Sequence, residues 1–273
     1  MGKYAGPNAV EDSLIRGLKE LDIDFKRNVR PVVDDTVIVL SGVKALREAI
    51  TLKEAGVIKK LVAGPNVVTF PLDANRVFMH PAIDTVLVPA QWVKDFWLQE
   101  APALAEKIAI FPSGVALSKV STRAGTPVIY DKMGDKELLE DVLDIVGECR
   151  VFQYGSFVRK DYLLALETAP YLIYLSQSES QGLALQEAWI RDVPTFVNKS
   201  TTWQSRNYRF SAEKINAPYL TDDFGAFLSD TAELKSHIAK AGTYSPRQRC
   251  IETLSDKVSV QTLLARINYE KNN

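Results

Sequence analysis

Short apolar runs rich in β-branched residues alternate along this chain with longer stretches whose apolar positions recur at helical spacing. DDTVIVLSG (residues 34–42) reads as a strand. VKALREAITLKEAGVIKK (43–60) reads as a helix, with Leu46, Ile50 and Leu52 near one face and basic residues on the other. KKLVAGPNVVTF (59–70) reads as strand, turn and strand, IDTVLVPA (83–90) as a buried strand, and AQWVKDFWLQEAP (90–102) as a short helix. AEKIAIFPSGV (105–115) is a further strand ending in a turn. Strands alternating with helices predict α/β layers around a parallel sheet.

The small, polar segment GVALSKVSTRAGTP (114–127) interrupts this pattern and is read as a domain linker. The alternation then restarts with strand TPVIYDK (126–132), helix DKELLEDVLDIVG (135–147) and strand CRVFQYG (149–155). Helix RKDYLLALETAP (159–170) and strand PYLIYLS (170–176) follow, then a helix within 183–192 and strand VPTFVN (193–198). STTWQSRNYRF (200–210) is read as a loop, INAPYLTDD (215–223) as a short edge element, and VSVQTLLARINYEKN (258–272) as the last helix. At the front, a loop ending in Gly6-Pro7-Asn8 leads into helix AVEDSLIRGLKEL (9–21), with Asn8 as its N-cap. Such a loop normally follows a first strand. Either that strand is absent or the chain starts downstream of it.

The chain has 273 residues, enough for two modest domains. Its 33 basic and 34 acidic residues give a net charge of −1, which argues against nucleic acid or an anionic membrane as a general partner. Cys149 and Cys250 have neither metal nor disulfide-framework spacing. With no apolar leader at the start and no run long enough to span a bilayer, the expectation is a cytoplasmic protein without a transmembrane segment. No P-loop, no His-Glu-x-x-His, no Asp-x-Asp between sheet strands and no Ser-His-Asp order stands out, and no metal is expected. The adjacent acids Asp222 and Asp223 are a weak metal candidate.

Chemistry concentrates in SQSESQGLALQEAWIRDVPTF (176–196). A strand ends near Ser176, a polar loop follows, and Gly182 permits close approach of a ligand at a helix start. The helix's unpaired N–H groups and positive dipole end suit an anion. In open α/β sheets, ligands lie beyond the carboxyl ends of the strands. Glu179 in the loop and Glu187 in the helix suit the hydroxyls of a nucleotide sugar. Spacing alone is equally compatible with a solvated loop acid and an ordinary first-turn helix acid.

The wider stretch YGSFVRKDYLLALETAPYLIYLSQSESQGLALQEAWIRDVPTFV (154–197) resembles the donor-binding half of retaining glycosyltransferases with the GT-B fold. The matching positions are Ser178, Glu179, Gly182, Leu183, Leu185, Glu187, Ala188 and Pro194, with the second Glu eight places after the first. GPN near the start, LVPAQWVKDFW and KIAIFPSGV resemble the family's first domain. The resemblance implies two Rossmann-like α/β domains facing each other across a cleft, the first one shortened. They would be an acceptor-side domain at 1–113, onto which the last helix (258–273) packs back, and a donor-binding domain at 114–257.

The resemblance also implies roles. Glu179 holds the transferred sugar, the backbone at Gly182, Leu183 and Ala184 contacts sugar and diphosphate, and Glu187 binds the ribose. A basic pair neutralises the departing diphosphate, which has a physical need where no metal does so. Here Lys132 and Lys136 hold that place, with Lys132 ahead. The family's usual Arg, followed five positions later by Lys, is missing. Arg159 is a further donor-side candidate, and Gly6 and Asn8 fall on the acceptor side.

The family's first-domain histidine has no clear match. His80 precedes a strand and His237 lies on a polar helix that reads as exposed. Trp92, Trp97 and Trp189 read as core. The implied activity is metal-independent transfer of a hexose, with retention, from a UDP- or GDP-sugar to a saccharide, lipid-linked or protein hydroxyl, with no cofactor. A non-catalytic nucleotide- or sugar-binding protein and a nucleotide-sugar epimerase are the alternatives.

Overall fold

The computed structural model describes residues 6–33 and 35–269. They form two compact units. Unit 1 comprises the chain up to Gly114 together with the segment from Asp256 onward, and unit 2 comprises Val115–Ser255.

Unit 1 carries a four-stranded parallel sheet in the order β1-β2-β3-β4. Its elements are α1 (Gly6–Glu20), β1 (Asp35–Ser41), α2 (Val43–Glu54), β2 (Ile58–Asn66), the single turn α3 (Asp73–Arg76), β3 (Thr85–Val88), α4 (Gln91–Glu100) and β4 (Ile108–Ile110). Leu61, Val62 and Ala63 on β2 and Val86 and Leu87 on β3 are inaccessible to solvent. Their apolar runs are continuous because a parallel sheet is covered on both faces.

Helix α10 (Asp256–Arg266) returns to this unit. Val10, Leu14 and Leu18 recur at i, i+4 and i+8 on α1 and pack with Val260, Leu263 and Ile267. The two helices approach closely because Gly17 has no side chain: a Cβ there would lie 2.3 Å from the Asp256 carbonyl oxygen. Arg16 Nε donates to Asp256 Oδ2 at 2.5 Å, and its Nη2 donates to Oδ1 at 3.2 Å.

Unit 2 carries a five-stranded parallel sheet in the order β11-β8-β7-β5-β6. The strands are β5 (Val128–Asp131), β6 (Arg150–Gln153), β7 (Leu172–Leu175), β8 (Thr195–Asn198) and β11 (Gly225–Leu228). Tyr130, Leu172 and Tyr174 face a core shared with α6 (Arg159–Leu166), α7 (Leu183–Trp189) and α9 (Pro246–Leu254). Ile129, Ile173 and Leu175 face the opposite core, with α5 (Lys136–Val146) and α8 (Glu233–Ala239). This is a doubly wound arrangement. Its strand order reverses at β5, so a crevice opens between the carboxyl ends of β5 and β7.

Apart from an isolated bridge between Val115 and Ser255, residues 115–127 have no regular structure; within unit 2 they are fastened by backbone bonds from Ser121 to Arg191, Thr122 to Glu167 and Gly125 to Thr168. Trp92, Trp97 and Trp189 are buried, and Trp189 stacks on Phe224 at 4.1 Å.

The structure corrects several sequence expectations. Asn8 lies inside α1 rather than capping it, while residues 1–5 of the expected leading loop lie outside the described residues. Residues 67–70 form no second strand after β2. An immediate return would have to run antiparallel, whereas this sheet is parallel, and Val67 and Phe70 are instead buried in the connection. Residues 200–210 contain an antiparallel hairpin, β9 (Thr202–Ser205) and β10 (Tyr208–Ser211), with Trp203 opposite Phe210. Residues 215–223 form no strand, and the sheet edge is β11. His237 is half-buried: its ring lies 5.7 Å from that of Phe196, and its Nδ1 is 3.3 Å from the Tyr244 hydroxyl.

Candidate functional site

Two loops at the carboxyl edge of unit 2 form the crevice. The first begins at Asp131, the last residue of β5, which is 2% exposed. Its Oδ1 accepts from the backbone N–H groups of Met133 and Gly134, both at 2.9 Å, folding the chain sharply after Lys132. Asp135 then caps α5, accepting from Leu138 N–H at 3.2 Å. Lys132 itself donates its backbone N–H to Leu175 O at 2.8 Å and so stays in register with β7.

The second loop follows β7 and is pinned from outside. Ser176 N–H donates to Asn198 Oδ1 at 2.8 Å, and Asn216 Nδ2 donates to the carbonyls of Ser176 (2.8 Å) and Asn198 (2.5 Å). Glu179 N–H donates to Ile215 O at 2.9 Å. Residues 215–216 therefore buckle the loop, Ile215 through its carbonyl and Asn216 through its side-chain amide.

These loops bring Lys132 and Glu179 together. Lys132 Nζ donates to Glu179 Oε1 at 2.6 Å and stands 5.1 Å from the centre of the Tyr154 ring. The Tyr174 hydroxyl donates to the same Oε1. Tyr174 is 1% exposed, and burial, reinforced by the Glu179 charge, pushes its phenol well above the usual range. Tyr130, stacked on it at 5.1 Å, is raised for the same reasons.

The helix behind the loop carries the second acid. Gly182, with φ of +76°, turns the chain into α7 in a left-handed conformation that disfavours a side chain. The first N–H groups of α7 have no acceptor within the helix. Ala184 O accepts from the Tyr162 hydroxyl at 2.8 Å, which ties α7 to α6. Glu187, 7% exposed, accepts from Arg159 Nε at 2.7 Å and also from its Nη2. Burial raises the Glu187 carboxyl above its ordinary value, opposed by Arg159 and then Arg191. Burial also lowers Arg191, whose Nη1 donates to Glu187 O at 2.9 Å.

Of the residues singled out in the sequence, Lys132 meets Glu179 and Arg159 meets Glu187. Lys136 is exposed at the first position of α5. Gly6 and Asn8 are exposed on α1 of unit 1. His80 precedes β3, within 3.6 Å of the Glu54 carboxylate. Among the described residues, no group of three or more His, Cys, Asp and Glu side chains gathers into a metal-binding cluster. No helix among them is long and apolar enough to cross a membrane.

Sequence reasoning missed Tyr174, Asp131, Asn198 and Asn216. Tyr174 and Asp131 left a signal: a tyrosine inside an otherwise apolar strand and an acid at the end of a buried one both demand hydrogen-bond partners. The two asparagines left none, because their partners are set by tertiary proximity.

No protein-family model matches the chain, and no curated protein matches its sequence. Solved structures do match. The lipopolysaccharide outer core galactosyltransferase WaaB, in its apo form, is 16% identical with a TM-score of 0.55, over 96% of this chain and 79% of its own. AviGT4, a glycosyltransferase involved in avilamycin A biosynthesis, is 10% identical with a TM-score of 0.57, over 97% of this chain and 90% of its own. Anabaena HepE, solved in complex with UDP and glucose, is 13% identical with a TM-score of 0.55, over 83% of this chain and 76% of its own. Other matched chains are longer, and this chain spans between 51% and 60% of four of them. At these identities the likeness establishes the fold, which is the α/β fold of GT-B glycosyltransferases with two Rossmann-like domains.

Proposed function

We propose that this protein is a retaining glycosyltransferase that moves a hexose from a UDP- or GDP-linked donor to a hydroxyl acceptor. The observation that carries this is the meeting of Lys132 and Glu179 at 2.6 Å in the crevice between β5 and β7, with the Arg159–Glu187 pair on the helix behind. A crevice at a strand-order reversal is where open α/β sheets bind nucleotides. Two carboxylates suit two sets of sugar hydroxyls, and a lysine suits a diphosphate.

In this reading Glu187 takes the ribose hydroxyls, and Arg159 orients its carboxylate. The backbone at Gly182, Leu183 and Ala184 lies along the diphosphate and sugar, and Glu179 holds the sugar hydroxyls. The bond from C1 to the diphosphate oxygen breaks, and the electron pair leaves with the nucleotide. The acceptor oxygen bonds to C1 on the same face, and its proton passes to the departing phosphate. Lys132 stabilises the charge that develops there, with Lys136 a second donor-side cation, so the step uses neither metal nor cofactor. Gly6 and Asn8 keep an acceptor-side role in this scheme. The acceptor is a saccharide, lipid-linked or protein hydroxyl, and the setting is cytoplasmic.

Lys132→Ala should lower turnover about 100-fold, the scale for removing one transition-state charge partner, with a much smaller change in nucleotide affinity. The test is incubation with UDP- and GDP-hexoses, with and without saccharide acceptors, reading product and anomeric configuration by NMR. Transfer with the donor's configuration kept is the expected result. Nucleotide binding without turnover, or an epimerised donor, would overturn the assignment.

A further inference from the structure

The buried hydroxyl of Tyr174 has a role the family resemblance does not supply. All four residues of β7 are buried, and the other three are apolar. A phenol in that setting is costly unless its oxygen is bonded. Its partner is Glu179 Oε1 in the crevice, not a neighbouring strand.

The ring is clamped by the sheet. Tyr174 is registered against Tyr130 on β5, and the two rings stack at 5.1 Å with 20° between their planes. Tyr162 packs on Tyr130 at 5.2 Å. The hydroxyl thus occupies a point set by the rigid interior, whereas Glu179 sits in an irregular loop. Lys132 binds the same Oε1, but through a flexible four-carbon stem.

We propose that Tyr174 is a positioning residue for Glu179, anchoring its carboxylate from inside the sheet while Lys132 is drawn to the departing diphosphate. The role rests on the glycosyl-transfer reading above. It explains why one oxygen takes two donors: one is fixed, and one is free to be shared with a ligand.

Tyr174→Phe keeps the stacked ring and removes only the oxygen. Two measurements test the role together. The first is a double-mutant cycle of Tyr174→Phe with Glu179→Ala, read by urea unfolding of the ligand-free protein; the two substitutions should be non-additive. The second is donor turnover. Tyr174→Phe should lower kcat about tenfold and leave the Kd for the free nucleoside diphosphate within twofold of wild type, because Glu187 is untouched. An additive cycle, or a kcat equal to that of wild type, overturns the role. A wild type that turns over no donor overturns the transfer reading and this role with it. A non-additive cycle beside that result shows that the bond is real and that the reading is what failed.

Discussion

Glu187 is nearly inaccessible, and burial raises its carboxyl above the ordinary 4.5 despite Arg159. The folded protein therefore holds this proton more tightly than the unfolded chain. Stability falls as pH rises through the window between about 4.5 and the raised folded value, and the ionised form is a net cost at neutral pH. Arg159→Met removes the main opposing charge and raises the carboxyl further. With Arg159 itself half exposed, the expected loss is about 1–2 kcal/mol at pH 7, vanishing near pH 3, below the ordinary carboxyl value, where Glu187 is protonated in both states. Urea unfolding at both pH values checks this, and a pH-independent loss would mean that the ion pair is not what stabilises this position. At this scale the sequence pointed to the two glutamates, Lys132, Arg159 and Gly182 as residues but not to their pairings. Ser176 and Asn216 are 40 positions apart, and no local pattern announces that bond.

The alternation of strands and helices was legible because each parallel strand is a short apolar run bounded by polar loops. The elements that escaped break local rules. The β9–β10 hairpin turns through Arg206, at φ +52°, with no glycine to mark it. Strand β11 hides behind Gly225, which combines a φ of +146° with a close approach: a Cβ there would lie 1.8 Å from Thr195 O on β8. Gly225→Ala should therefore detach the edge strand and unfold unit 2 at a much lower temperature. Gly182→Ala has ordinary room, 3.4 Å from Leu185 Cδ1, and carries only the left-handed backbone cost of roughly 1–2 kcal/mol. Thermal unfolding of the two variants should separate them clearly. Equal losses would mean that backbone conformation, not the close approach of β11, governs both sites.

Taken as a whole chain, unit 1 depends on its last helix. Asp256 is 2% exposed and is held by Arg16, whose own side chain is 41% exposed, so Arg16→Ala should cost about 2 kcal/mol in urea unfolding, less than for a fully buried pair. A loss below about 1 kcal/mol would show that the α1–α10 packing stands without the pair. Unit 2 carries the proposed chemistry, in which its crevice holds a nucleoside diphosphate with Glu187 on the ribose. The decisive measurement is calorimetric titration of wild type and Glu187→Gln with UDP and GDP. One of the two nucleotides should bind wild type, and the variant should bind it about 10- to 100-fold more weakly, the equivalent of losing a charge-assisted hydrogen bond. Binding of neither nucleotide to wild type, or equal affinity in the variant, would contradict that placement.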